Sequence, residues 1–463
     1  MQLILLTAFL GGCANIENFD LNKSLPKFDF KNVLPELNLD QLFTYKAPKD
    51  TTAVEISINS FLKNNPLSVS FDGGNLNAIK QAALNSPEVL GAKQAVLNSE
   101  ISKSFIGTQF NPNINTLFTP GISNFNPLQI GTLATLNFTK ILFDGGKLSN
   151  QLSAAELSLA STQLSYLESL NQQLLKNSLS VINVNRFRKI DKIANERIFQ
   201  LEVLSEQLKT MENVGAVDAT TMVQSNRTIY TLYTQKAELE ENLKTAEVNF
   251  AKLFGLTPKI TLDDINLSSF TSVGLVENVD IDTVPLVNNE FILLKKSYKD
   301  LAAINAQKSY SVSLSGEIDG TFASTKKTLT PAVGLSVSKN LFDGGRLDKQ
   351  IESAETQIKI QEHKLNSVID ETKLQIAQLN NQLSNYDNFT RLNEKNIFYA
   401  EKEIELLRSQ VQIGRATVSD IIAAEARLFE FQLKAINLNT DHLISKLSLS
   451  ALAGTFSKEF GID

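Results

Sequence analysis

The chain has 463 residues, of which 42% are hydrophobic and 20% charged, and its formal net charge is −6. This composition excludes a disordered chain and a helical membrane protein, and the acidic balance excludes the basic surface that nucleic-acid binding requires. With two histidines and one cysteine, the sequence offers no Cys/His zinc cluster and no intrachain disulfide. Its length allows roughly two to four domains of about 100–200 residues.

The amino terminus has the pattern of an export signal. The apolar run Leu3–Leu10 precedes two glycines and Cys13, so residues 1–13 are predicted to be a signal peptide. The residues Leu-Gly-Gly-Cys at 10–13 resemble a lipoprotein lipobox, in which Cys13 becomes the acylated first residue. No Lys or Arg precedes the run, and an unmodified cysteine stays an alternative. Residues 14–69 are predicted to be an extended linker.

A duplication is the strongest feature of the sequence. The motif Leu-Phe-Asp-Gly-Gly-Lys at 142–147 recurs as Leu-Phe-Asp-Gly-Gly-Arg at 341–346, an offset of 199 residues (341 − 142). Gly215 and Gly414 keep this offset (414 − 215), as do the glycines at 255 and 454. Three landmarks in one register indicate a duplicated domain. We assign the two repeats to 70–258 and 259–455, and a C-terminal tail to 456–463.

An alternating pattern precedes each Phe-Asp-Gly-Gly motif. Val312, Leu314 and Ile318 alternate with serines and acids, and a returning run alternates in the same way. We predict four strands per chain, at about 113–142 and 309–341. An apolar face and a hydroxyl-rich face fit a transmembrane barrel strand. A half-buried strand of a soluble sheet is the alternative, and the signal peptide and the duplication favour the first interpretation.

No stretch after the signal approaches the roughly 20 apolar residues of a transmembrane helix. A membrane-spanning form of this chain must therefore be a closed barrel, because only helices and closed barrels satisfy their backbone polar groups in lipid. Four strands cannot close a barrel and would leave unpaired edges. The sequence therefore predicts that several copies assemble.

Long helices follow each motif. Apolar residues recur every three or four positions, as in a coiled coil, and no proline interrupts 147–214 or 346–413. Each stretch is predicted to be one helix of about 67 residues, roughly 100 Å long. Gly215 and Gly414 are predicted to end these helices. With their return helices they form two predicted helical hairpins, at 147–254 and 346–453.

From about Leu76 to Gly454, these motifs resemble the TolC-like family of outer membrane efflux proteins. Two sets of residues carry the resemblance. The first resembles the family's barrel-to-helix junction and comprises Phe143, Asp144, Gly145, Gly146, Phe342, Asp343, Gly344 and Gly345. The second resembles its periplasmic tip and comprises Gly215, Asp218, Gly414, Arg415 and Asp420. The chain departs from the family's pattern at Thr221 and Ala423, where aspartates are expected.

The resemblance implies a mixed α/β membrane protein. Its fold would be a homotrimeric, 12-stranded outer-membrane β-barrel, with four strands per chain, continued by a long periplasmic coiled-coil barrel. The implied function is a passive conduit of a tripartite export system, for efflux of small molecules or for type I protein secretion. The implied partners are a periplasmic adaptor protein, an inner-membrane ABC or proton-driven pump, and outer-membrane lipid. A periplasmic or surface coiled-coil structural protein without transport activity is the alternative.

The candidate gate residues have two interpretations each. Carboxylates of Asp420 from several subunits are expected near a constriction, where they would attract cations; the alternative is an exposed acid stabilised by the helix dipole. Arg415 pairs across the tip or contacts an adaptor, or it is a solvated charge. The glycine pairs lack a phosphate-loop pattern, and His363 and His442 lack a matching nucleophile. We therefore predict no enzyme, no cofactor, no metal site and no nucleic-acid partner.

Overall fold

The computed structural model of the chain describes residues 75–124, 128–255, 279–323 and 327–462. The predicted signal peptide with Cys13, the predicted linker at 14–69 and a third Phe-Asp-Gly-Gly motif at 71–74 lie outside the described residues. Among the described residues, no helix combines the length and the apolar character that crossing a bilayer requires.

The two repeats share the order of a helix, two strands and two long helices, and the first repeat has one further helix at its start. The first repeat contains α1 (Asn75–Leu84), α2 (Pro87–Thr108), β1 (Asn113–Asn124), β2 (Leu128–Phe143), α3 (Lys147–Asn213) and α4 (Ala219–Phe254). The second contains α5 (Pro285–Asn305), β3 (Ser311–Ala323), β4 (Lys327–Ser338), α6 (Arg346–Gln412) and α7 (Val418–Leu452), with short 3-10 turns at Ile281–Thr283 and Ala306–Lys308. A last turn of helix, α8 (Phe456–Glu459), follows.

The four strands form one antiparallel sheet in the order β1-β2-β3-β4. The two hairpins join through β2 and β3, where Thr139 lies opposite Ser315 and Phe138 opposite Gly316. In the first hairpin, β1 continues through Pro120 and Gly121, two residues that do not fit an alternating strand pattern. Pairing with β2 sets its length. β1 and β4 are the two edges of the sheet.

The faces of the sheet differ in chemistry, as the alternation predicts. The pairing of β3 with β4 brings apolar residues to one face, namely Val312, Leu314, Ile318, Phe322, Leu329, Val333, Leu335 and Val337. The opposite face carries Ser311, Ser313, Ser315, Glu317, Asp319, Thr321, Thr328, Thr330, Ser336 and Ser338. The apolar face is uncovered in the single chain, where Val333 is 79% exposed and Ile122 of β1 is 70% exposed.

Two buried clusters hold the helices together. The first joins α1 to α3, α4 and α8, with Ile79, Leu174, Phe250, Phe254 and Phe456 fully or almost fully buried. The second joins the two helical hairpins near their turns, and includes Leu208, Ile404 and Ile422. Burial of one such side chain stabilises the fold by about 1.5–3 kcal/mol. Residues 456–462, assigned to a tail, therefore contribute to the core.

The two 67-residue helices are buried to different extents. Twenty residues of α3 are buried, whereas α6 has seven. On α3, apolar residues that recur every three or four positions are buried, among them Leu170, Leu174 and Val181. On α6, Ile376 and Leu379 belong to the same kind of pattern but are half-buried. The predicted fold class is confirmed at the level of the chain, with a small sheet and two long helical hairpins. Its unequal burial leaves one face of α6 uncovered.

Candidate functional site

The Phe-Asp-Gly-Gly motifs form the junctions between the sheet and the long helices. At the first junction the backbone N–H groups of Gly146 and Leu148 donate to the Asp144 carboxylate, at 3.0 and 2.7 Å. At the second, Gly345 and Leu347 donate to Asp343 at 3.0 and 2.9 Å. These bonds satisfy N–H groups that a helix start leaves unpaired.

The glycine pairs at these junctions have left-handed backbones. Gly145 and Gly146 have φ of 69° and 86°, and Gly344 and Gly345 have 72° and 82°. Residues with a β-carbon rarely adopt such angles. The two glycines of each motif thus turn the chain from the end of the sheet into the start of a long helix.

The surroundings of the two junctions differ. Phe143 packs on Tyr310 with ring centroids 5.1 Å apart, and a β-carbon on Gly145 would lie 2.5 Å from Cβ of Ser309. In contrast, Phe342 is 86% exposed, and a β-carbon on Gly344 would meet nothing within 4 Å. The second junction therefore has an uncovered side that the first does not.

The hairpin turns end both long helices in the same way. Gly215 and Gly414 have a φ of 73°, and the next residue donates back to the helix, Ala216 to Met211 O at 2.8 Å and Arg415 to Gln410 O at 2.9 Å. This six-to-one bond is the helix-ending motif that a left-handed glycine permits. The side chain of Arg415 is exposed.

The return helices begin with caps whose residues are exchanged between repeats. Asp218 caps α4 and accepts from the backbone N–H and the hydroxyl of Thr221, at 2.9 and 2.8 Å. Thr417 caps α7, and Asp420 accepts from its backbone N–H and hydroxyl at 2.8 and 2.7 Å. The threonine where an aspartate was expected is thus one half of a capping pair.

These contacts define the electrostatics of the turns. Hydrogen bonds from the backbone N–H and the hydroxyl of Thr221 hold the pKa of the Asp218 carboxyl below its usual range. Asp420 is exposed, and its contacts with Thr417 form a capping box. Asp420 therefore stabilises the start of α7, and this role is compatible with a further one in gating.

A buried carboxylate above the turns was not predicted from the sequence. Glu425 on α7 is 2% exposed and pairs with Arg197 of α3 at 2.8 Å and Arg408 of α6 at 3.1 Å. Arg197 also donates to Gln432 at 3.0 Å. The signal in the sequence is an acid on an apolar helix face, since Ile421, Ile422, Ala424, Leu428 and Phe429 around it are buried. The network links three helices.

The two histidines and Glu405 lie on the long helices of the second repeat. His363 is exposed, and His442 stacks on Tyr386 with centroids 3.7 Å apart. Glu405 pairs with Lys402 at 2.6 Å on an exposed helix face. Among the described residues, no group of three or more His, Cys, Asp and Glu side chains is placed to hold a metal ion.

The polar face of the sheet carries two carboxylates. Glu317 and Asp319 of β3 are exposed, and Thr135 of β2 donates to Asp319 at 2.8 Å. Asn137 lies opposite Glu317. A face of this composition suits contact with water, whereas the opposite face suits contact with apolar material.

Comparison with known proteins gives a family match and a shared fold. The family model described as outer membrane efflux protein matches residues 303–455. The outer membrane efflux protein BepC of Brucella suis is 24% identical over 151 residues, which are 29% of this chain and 33% of BepC. The match thus spans about a third of that relative.

Solved structures resemble most of the chain. The outer membrane protein VceC of Vibrio cholerae has a TM-score of 0.74 and 19% identity, over 82% of this chain and 96% of VceC. CusC has a TM-score of 0.71 and 15% identity, over 84% and 97% of the two chains. The CmeC outer membrane channel of Campylobacter jejuni has a TM-score of 0.69 and 14% identity, over 85% and 90%.

These matches confirm the resemblance derived from the sequence motifs, and they agree with the outer-membrane localisation predicted for the chain. The matched segment contains β3, β4 and the second helical hairpin. Residues 303–455 thus match the family model described as outer membrane efflux protein, and more than four fifths of the chain shares the fold of the solved structures.

Proposed function

We propose that the chain is one subunit of an outer-membrane channel, a passive conduit from the periplasm to the exterior. The observation that supports this proposal most directly is the sheet, which has an exposed apolar face, a hydroxyl-rich opposite face and two unpaired edges. Strands that contact lipid on one side and water on the other need this alternation. Unpaired edges in lipid are costly, so the sheet must continue into other copies.

The proposed assembly is a homotrimer, which would join twelve strands and lies within the size range of outer-membrane barrels. The long helical hairpins would extend into the periplasm, and their turns would contact a periplasmic adaptor protein that connects to an inner-membrane ABC or proton-driven pump. Small molecules or secreted proteins are the proposed cargo classes. Passage through a conduit needs no catalytic residue.

The hairpin turns are the proposed gate. Asp218 and Asp420 each bring a carboxylate to the first turn of a return helix. Several such carboxylates around an axis would attract cations and repel one another. Arg415, exposed beside them, is proposed to contact the adaptor.

The test is reconstitution of the full-length protein in planar lipid bilayers. We expect an oligomer that requires detergent for purification and that conducts ions in steps of fixed size. The structural-protein alternative predicts a water-soluble protein that adds no conductance. A monomeric, detergent-independent protein without conductance would contradict the proposed channel.

A further inference from the structure

Two lysines interrupt the apolar face of the sheet, one near each of its ends. Strand pairing places Lys140 of β2 opposite Leu314, and Lys327 of β4 opposite Phe322. Because residues directly opposite in a sheet share a face, both lysines lie on the apolar face, and both are exposed. The residues between them on this face of β2, β3 and β4 are uncharged. The two lysines therefore bracket an apolar band.

The height of this band is close to that of a membrane interior. Leu314 and Phe322 are eight residues apart on β3 (322 − 314), which is about 26 Å of strand. Strands of outer-membrane barrels tilt by about 35–45°, so the band spans roughly 20 Å along the membrane normal, and the apolar band of such barrels is about 25 Å tall. Lysine side chains extend from the edge of an apolar surface toward water. Lys140 and Lys327 therefore fit the two headgroup levels of a bilayer.

Aromatic side chains lie at the end of the sheet where β2 and β4 lead into the long helices, which we call the helix end. Phe143, opposite Val312, packs on Tyr310 with ring centroids 5.1 Å apart, and the two side chains are 45% and 51% exposed. Phe342 at the second junction is exposed as well. Aromatic girdles flank the apolar band of membrane barrels. The helix end therefore has the composition of a membrane interface.

The duplication repeats this arrangement. Lys339 lies 199 residues after Lys140 (339 − 140), and each of these lysines stands three residues before the phenylalanine of a junction motif (143 − 140 and 342 − 339). Lys339 directly follows Ser338, the last residue of β4, and is exposed. Both repeats thus bring a lysine and a phenylalanine to the helix end of the sheet.

The two lysines at the helix end have no acidic partner in the part of the chain that the structure describes. The carboxylates closest to them in sequence are occupied, since Asp144 and Asp343 accept from backbone N–H groups of the junctions and Asp348 pairs with Lys308 at 3.6 Å. Neither lysine at the helix end forms an ion pair with a described residue. Their positive charges are therefore available to an external anion.

We propose that Lys140 and Lys339 bind the phosphates of anionic phospholipids in the inner leaflet of the outer membrane, whose acyl chains cover the apolar band. The inference rests on the proposed channel, which turns the helix end toward the periplasm, and adds a lipid-binding site to it. The ligand must be amphiphilic because the lysines adjoin an uncovered apolar face, on which Leu335 and Val337 are 67% and 66% exposed. A free phosphate ion or an acidic peptide complements only the charges.

The charge of the headgroup sets the expected selectivity. Phosphatidylglycerol carries a net negative charge, whereas phosphatidylcholine carries a positive group beside the same phosphate. One lysine at a membrane surface favours an anionic lipid by about fivefold. We therefore expect the helix end to enrich phosphatidylglycerol over phosphatidylcholine by about fivefold per lysine.

A single introduced tryptophan can report the lipid at this site, because the chain contains no tryptophan of its own. Leu335→Trp places the reporter on the apolar face in the row of Lys140, since Leu314 lies opposite both residues. The full-length protein is reconstituted in phosphatidylcholine vesicles with a small fraction of brominated phosphatidylglycerol or brominated phosphatidylcholine. The ratio of the two quenching efficiencies gives the relative association constant. We expect this ratio to favour phosphatidylglycerol about fivefold.

Variants of the lysines test the site in this reporter background. Lys140→Gln combined with Lys339→Gln should lower the preference to about one, and arginine at both positions should retain it. Lys327→Gln is the matched control, because it removes a lysine from the same face at the opposite end of the band and should leave the preference unchanged. Inorganic phosphate should reduce the preference no more than chloride does at equal ionic strength.

Four results in a conducting oligomer would overturn the headgroup site and leave the proposed channel intact. They are no preference in the parent protein, full preference in the double glutamine variant, an equal loss in Lys327→Gln, and a loss specific to inorganic phosphate. If Leu335→Trp does not assemble, Tyr310→Trp, which keeps an aromatic ring at the helix end, replaces it as the reporter. A protein that does not enter the vesicles would instead contradict the channel and, with it, this site.

Discussion

At the scale of single residues, the carboxylate of Asp420 has an observed structural role in a helix cap and a proposed electrostatic role in the gate. These two roles can be tested separately. Thr417 and Asp420 form the cap of α7, and Asp218 and Thr221 form that of α4 with the positions reversed. In the sequence, Thr221 stands where an aspartate is expected. Its part in the cap was not predicted, because the cap consists of hydrogen bonds that only the structure shows. The Asp-Gly-Gly turns, in contrast, could be predicted from the sequence, because glycine readily adopts the left-handed backbone that these turns require.

Variants of Asp420 distinguish the two roles. Asp420→Asn keeps an oxygen that can accept from Thr417 but removes the charge, so we expect the helix cap to persist and block by divalent cations to weaken. Thr417→Ala should destabilise the start of α7 by about 1 kcal/mol and leave the block unchanged. Single-channel conductance with added Mg²⁺ measures the block. Equal block in Asp420→Asn and the parent protein would contradict the gate role.

The buried Glu425 gives a second prediction at this scale. Glu425→Ala leaves Arg197 and Arg408 without their shared partner. Because these two side chains are 22% and 53% exposed and stay partly hydrated, we expect a loss at or below the lower end of the roughly 3–5 kcal/mol that breaking a fully buried pair costs. The matched control is Glu403→Ala, since Glu403 pairs with Arg427 at 2.6 Å where both side chains are about half exposed. Its loss should cost about 0–1 kcal/mol. Denaturant unfolding in detergent compares them, and equal losses would contradict this assignment.

His442 predicts a pH dependence. Burial lowers its pKa, with a smaller effect in the same direction from Lys446, so the folded state binds the proton less well than the unfolded state. The stabilising contribution is complete above the ordinary pKa of about 6.5 and is lost as pH falls through the lowered value. We expect the His442→Gln variant to lose stability less steeply than the parent protein between about pH 7 and 5. Thermal unfolding at stepped pH measures both slopes.

At the scale of elements, periodicity predicts the helices well and the strands less well. The long helices end at Gly215 and Gly414 because a glycine stop is encoded locally. The length of β1 is not encoded locally, since Pro120 and Gly121 interrupt the pattern and only pairing with β2 extends the strand. The arginines around Glu425 come from α3 and α6, and no spacing in the sequence indicates that they converge.

The two faces of β4 provide a matched pair of substitutions. Val333→Arg places a charge on the apolar face, where lipid contact would cost about 2–4 kcal/mol near the bilayer midplane. Ser336→Arg places the same charge on the hydroxyl face, where we expect normal assembly and an altered ion selectivity. Yield of heat-resistant oligomer and reversal potentials in bilayers measure the two effects. Normal assembly of Val333→Arg would contradict the membrane orientation.

At the scale of the whole molecule, the duplication explains why the chain is asymmetric. α3 is covered because the second repeat of the same chain packs on it, whereas α6 has an open groove at the equivalent place. The offset of 199 residues is visible in the sequence, but β1 and β3 are offset by 198 residues (311 − 113), which appears only once strand pairing is known. Sequence motifs therefore predicted the duplication and the need for several copies, but not the unequal burial of the two long helices.

The exchange of Asp218 and Asp420 has a consequence for an assembled ring. Asp218 precedes its helix and accepts from the N–H of Thr221, whereas Asp420 is the third residue of its own helix and accepts from the N–H of Thr417. The two backbone positions differ by three residues, but the two side chains span that step in opposite directions, so both carboxylates lie at the start of a return helix. Copies around one axis would therefore hold both sets of negative charges within about one helical turn, roughly 5.4 Å, along the helix direction. A permeating cation would meet them as one acidic zone.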